Sequence, residues 1–168
     1  MELLETSAMT NGRQIKSRIV FAADGIRVAP HLHSDQEETY EVISGNLTYF
    51  LDGQKNIAPA GTMVRLPRGV PHQHFSEGPQ ETVTIQTMTP GGDFDYVLET
   101  LFGLGTENRL RGLDYVVQGM VMLRRMKSPV VVSALPEWFQ RGTARIFTPL
   151  AELFGYRAVY RRFSGEEW

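Results

Sequence analysis

"HLHSDQEETYEVISG", residues 31–45, holds two of the chain's four histidines one residue apart, then a polar stretch, then an alternating run closed by glycine. In an extended backbone the side chains at i and i+2 share a face. His31 and His33 therefore point the same way, and Pro30 before them favours extension. "SDQE" reads as a turn that resets the alternation. In the next strand Glu38, Tyr40 and Val42 share one face, while Glu37, Thr39, Glu41 and Ile43 share the other. Neither face is wholly apolar. The first makes the better interior, which turns Glu38 inward and leaves Glu37 and Glu41 towards solvent.

Working outward, "GTMVRLPRGVPHQHF" (residues 61–75) reads as a strand, a Pro-Arg-Gly turn and a returning segment. It carries His72 and His74, again i and i+2, so either or both can face inward. "QIKSRIVFA", "NLTYFLDG" and "ETVTIQTM" are further short alternating runs bounded by turn residues, the pattern of an all-β barrel or sandwich. Past "TPGGD" (89–93) the period lengthens. Phe94, Val97, Leu98, Leu101 and Phe102 follow helical spacing, as do "GLDYVVQGMVMLRRM" and "PEWFQRGTARIFTPLAELFGY", with Pro129, Pro136 and Pro149 as boundaries or kinks.

Composition limits the functions open to the chain. Its 168 residues are 42% hydrophobic and 21% charged, ordinary for a globular protein able to bury a core without staples. A net charge of −2 gives no electrostatic case for nucleic acid. The absence of cysteine removes disulfides and thiolate ligands. No run of about 18 apolar residues crosses a bilayer, and "MELLETSAMTNGR" lacks the pattern of a secretory leader, so the expectation is a cytoplasmic protein.

Two motifs in these stretches resemble those of the cupin superfamily. The first runs Gly25, His31, His33, Glu38, Gly45; the second runs Gly61, Pro67, Gly69, His72, with Ser76 where the family has asparagine. The resemblance covers about residues 15 to 90. It implies a cupin jelly-roll barrel (1–90); outside the resemblance, the helical spacing points to a C-terminal extension of about three helices (91–168) that packs on the barrel or a partner subunit, so the expected fold is mainly β. It implies one divalent transition metal per chain, held by His31, His33, Glu38 and His72. Imidazoles and a carboxylate suit iron, manganese, nickel, copper or zinc without selecting among them.

His74, if it faces in, is the candidate catalytic acid or base. Arg27, Tyr40, Tyr49 and Met63 are candidates for the substrate pocket. The expected activity is that of a metal-dependent oxygenase or dioxygenase acting on a small organic molecule. The alternatives are a metal-dependent isomerase or lyase, and a non-catalytic binding or sensing cupin. The expected partners are the small molecule and a second copy in a homodimer. A membrane surface is disfavoured, because Gly and Pro interrupt the amphipathic tail.

Overall fold

The computed structural model describes residues 1–23 and 27–168; Gly25, the first glycine of the first motif, lies outside the described residues. The chain divides into two compact units, one formed by 1–92 with 132–134 and the other by 93–131 with 135–168.

The first unit is built on two antiparallel sheets. Its elements are β1 (Glu2–Glu5), α1 (Ser7–Thr10), β2 (Ile15–Phe21), β3 (His31–Leu32), β4 (Glu37–Ser44), β5 (Asn46–Leu51), β6 (Gln54–Pro59), β7 (Met63–Leu66), β8 (His72–Ser76) and β9 (Thr82–Thr89). One sheet has the order β1-β2-β9-β4-β7; the other runs β3-β8-β5-β6 and is extended beside β3 by β10 (Val131–Val132). The fold is thus mainly β, with helices following the barrel strands.

Turn chemistry sets the register. Asp52 and Gly53 both have positive φ (48° and 77°), the backbone of a tight two-residue hairpin turn, and β5 pairs with β6 in step from Leu51↔Gln54 to Asn46↔Pro59. At the β4–β5 corner, Gly45 has φ 77°, and a Cβ there would lie 2.4 Å from the Glu81 carbonyl oxygen. Ser76, in the place of the family's asparagine, serves the same corner. Its Oγ donates to Gln80 O (2.8 Å) and lies 2.9 Å from Thr82 Oγ1, which donates to Asn46 O.

Strand alternation fills the space between the sheets. Ile19, Tyr40, Val42, Leu47, Ala58, Val64 and Leu66 form the buried cluster, with Phe21, Tyr49 and Leu51 against it. Ile19 is 4% exposed, so Ile19→Val should cost about 1 kcal/mol, read as a lower urea midpoint at unchanged slope. An unchanged midpoint would mean that this part of the cluster is loosely packed.

The second unit contains α2 (Phe94–Thr106), α3 (Leu113–Arg125), α4 (Glu137–Leu153) and the single turn α5 (Arg161–Ser164). Pro136 caps α4, and Pro149 lies inside it rather than at its end. Here α3 and α4 lie together: Thr148 donates to Met120 O, and Arg125 grips Glu152 through two 2.7 Å bonds. Behind α2, the Phe163 ring occupies the space that a side chain on Gly103 would need. Among the described residues no helix is long and apolar enough to cross a membrane.

Candidate metal centre

Three strands carry the site. His31 on β3 pairs directly with His72 on β8. Beside them, β8 sets His74 opposite Tyr49 on β5, and β4 brings in Glu38. His31, His33, Glu38 and His72 are all buried, and each offers one ligand atom within 4.8 Å of the others. On β4 the buried set is Glu38, Tyr40 and Val42. Glu41 faces solvent, and Glu37 pairs with Arg65 at 2.6 Å.

Hydrogen bonds fix which ring nitrogens carry protons. His31 Nδ1 lies 2.9 Å from the Ala29 carbonyl, and His72 Nδ1 lies 2.8 Å from that of Val70. A carbonyl oxygen only accepts, so both Nδ1 atoms are protonated and, in the neutral ring, both Nε2 atoms present lone pairs. Burial pushes His33 down to about 3 and lowers His31 as well, leaving both rings neutral at ordinary pH.

Glu38 is held asymmetrically. Oε1 accepts from Tyr40 Oη at 2.7 Å and from the Gln86 amide, whose own oxygen accepts from Ser17 Oγ at 2.8 Å. Burial opposes ionisation of this carboxyl, but the attraction of the neighbouring imidazoles in their protonated forms, His74 first and then His72 and His33, outweighs it and holds the group well below its usual range. Oε2 faces the histidines, 3.2 Å from His72 Nε2 and 3.9 Å from His33 Nε2. Neither Oε2 nor His72 Nε2 has a hydrogen-bond partner. A carboxylate oxygen and an imidazole lone pair thus confront each other in a buried space, an arrangement that a cation would satisfy. The donor set fits a divalent transition metal.

His74 is buried too, and its Nε2 lies 2.9 Å from Tyr40 Oη. With the Tyr40 proton given to Glu38, His74 Nε2–H donates to the phenol oxygen. Its Nδ1 has no hydrogen-bond partner, and burial pushes the ring down to about 4. Burial and the Glu38 charge hold the Tyr40 phenol well above its ordinary range, so it stays protonated as donor. Gln86 and Ser17, both buried, were not singled out from sequence. The signal was present in "ETVTIQTM", whose buried face is Thr82, Thr84, Gln86 and Met88.

The pocket candidates divide. Tyr40 is fully buried and committed to this network, and Tyr49 is half-buried against the barrel core. Met63 is 63% exposed, because the short strand that it opens turns Val64 and Leu66 inward. Arg27 lies at the surface, its guanidinium 4.0 Å over the Phe75 ring and 3.5 Å from Glu77. Outside regular strand, it does not follow the parity of His31.

Residues 17–89 match the sequence family described as the cupin domain. Three solved structures are among those similar to the chain. An uncharacterized conserved protein with a double-stranded β-helix domain from Klebsiella pneumoniae is 20% identical (TM-score 0.47), covering 54% of this chain and 76% of that one. A cupin-like protein from Thermotoga maritima is 26% identical (TM-score 0.48), covering 53% and 66%. A predicted oxalate decarboxylase, also from Thermotoga maritima, is 22% identical (TM-score 0.47), covering 52% and 76%. No curated protein matches the sequence.

Proposed function

We propose that this chain, which belongs to the cupin superfamily through residues 17–89, holds one divalent transition metal on His31, His33, Glu38 and His72 and acts with it as an oxygenase on a small organic molecule. The observation that carries the metal reading is the pair of partnerless acceptors, Glu38 Oε2 and His72 Nε2, 3.2 Å apart in a buried cluster. A metal bound there would supply Lewis-acid or redox chemistry, with positions left for ligands that the protein does not provide.

The surrounding residues divide the remaining work. Gln86 and Tyr40 occupy Glu38 Oε1, so the carboxylate offers the ion one oxygen. His74 is the group free to handle a proton: its Nε2 is anchored on Tyr40, and Nδ1 is left to accept from, or return a proton to, a bound molecule. Tyr49, half-buried against the core across from His74, is placed to shape the wall beside it. Apolar burial around the cluster excludes bulk water and strengthens each of these contacts.

Protein purified after growth with iron, manganese, nickel, copper and zinc should carry close to one ion per chain by elemental analysis. Protein devoid of metal under those conditions would sink the proposal. With metal defined, oxygen uptake against phenolic, enol and keto-acid panels tests the reaction class. Metal-loaded protein that converts such a compound without consuming oxygen would instead favour the isomerase or lyase chemistry open to the same ligands.

Gln86→Leu releases Oε1 from its amide clamp without touching a ligand atom. It should weaken metal binding about 10–100-fold in chelator competition. An unchanged affinity would show that the clamp does not orient the carboxylate.

A further inference from the structure

Helix α4 is amphipathic in an unusual sense. Its buried residues are the small Ala144, Thr148 and Ala151, whereas Phe139, Ile146, Leu150 and Leu153 form a continuous stripe on the opposite side, 43%, 72%, 53% and 83% exposed. Spacings of three, four and seven put those four residues within one narrow sector of the helix. An exposed apolar face of this extent marks an interaction surface.

We infer that it is covered by the same face of a second copy, packed antiparallel about a two-fold axis through Ile146. The stripe is symmetric about that residue. Phe139 stands seven positions before it and Leu153 seven after, and Gly142 stands four before and Leu150 four after. In an antiparallel pair each Leu150 therefore seats over the partner's Gly142, each Phe139 layers against the partner's Leu153, and Ile146 meets itself. Phe147, 50% exposed, borders the stripe on one flank.

Area and charge support this occupant. On the flanks of the stripe Trp138, Phe147 and Phe154 are 75%, 50% and 77% exposed, and with Phe139 they add roughly 400–600 Å² of aromatic surface to the same apolar face. Ile146, Leu150 and Leu153 bring this wider face towards the roughly 800 Å² that each partner of a stable interface buries. Along α4 the acids balance the bases. Glu137 and Glu152 stand against Arg141 and Arg145, so the helix itself carries no net positive charge with which to seek an anionic membrane. The inference is independent of the metal reading.

Sedimentation equilibrium at about 10–100 µM should give a dimer, and Ile146→Glu should weaken it at least about 100-fold while far-UV circular dichroism stays unchanged. The chain has no cysteine, so Ile146→Cys is a unique reporter. On oxidation it should form a covalent dimer faster than Arg124→Cys, an exposed position on α3. A monomeric wild type would overturn the assignment, whether or not it floats with anionic vesicles. So would an Ile146→Glu dimer, or cross-linking no faster at 146 than at 124.

Discussion

The double variant His33→Ala, Glu38→Gln should hold metal at background levels after dialysis, against nearly one ion per chain in the parent. Loss of groups that merely orient metal ligands costs about 10–100-fold in affinity, so loss of two direct donors should cost roughly a thousand-fold or more. Elemental analysis and chelator competition measure it. Thermal stability provides a second readout: added metal should raise the parent's melting temperature and leave the variant's unmoved. Equal metal content in both proteins would refute the ligand assignment. The variant should still fold without metal, at reduced stability. Glu38→Gln replaces a buried carboxylate whose Oε2 lacks a hydrogen-bond partner with a neutral group of the same size, so the stability lost, about 2–4 kcal/mol, is that of the cavity left by His33→Ala.

Gly45→Ala should lower stability by about 3–5 kcal/mol, with metal absent from both proteins. Two costs act together: φ 77° disfavours any side chain, and the new Cβ would lie 2.4 Å from the Glu81 carbonyl and 3.0 Å from Thr82 Cα. Backbone on the other side cannot swing away as a flexible side chain would, so the β4–β5 corner must part from the start of β9. Urea unfolding measures the loss. A change under about 1 kcal/mol would mean that the corner relaxes freely. The site should weaken as well, because β4 brings Glu38 to the centre and β5 pairs with the strand bearing His72.

Sequence alone conveyed much of the barrel, and particular residues show why. In "ETYEV" one parity carries Tyr40 and Val42, so Glu38 separates from Glu37 and Glu41 on hydrophobic grounds. The single spacer in His31-x-His33 needs no tertiary knowledge to put two imidazoles on one side. Strand parity carries no orientation across a loop that resets the alternation. Met63 follows such a loop and points outward, and Arg27 sits outside regular strand, against Phe75 and Glu77. Gln86 escaped because its strand buries Thr82, Thr84 and Gln86 while Val83 and Ile85 are only half-buried, inverting the usual pattern. The inversion makes sense only once Glu38, 48 residues earlier, is seen to need a donor. In α4 a related inversion put the large apolar residues outside, which periodicity detects without saying which face is covered.

His31 and His72 share a local device: each follows a proline, and each turns its Nδ1–H onto the carbonyl two residues back, Ala29 in one case and Val70 in the other. The proline fixes the backbone that holds carbonyl and ring together, so the lone pair is aimed before any ion arrives. For protein engineering this makes Xaa-Pro-His a portable cassette. Grafted at the start of a strand in an unrelated scaffold, three residues would deliver an imidazole already in its metal-accepting tautomer. Two such cassettes facing each other across an antiparallel pair, as here, would supply half of a four-ligand centre without redesign of the core beneath.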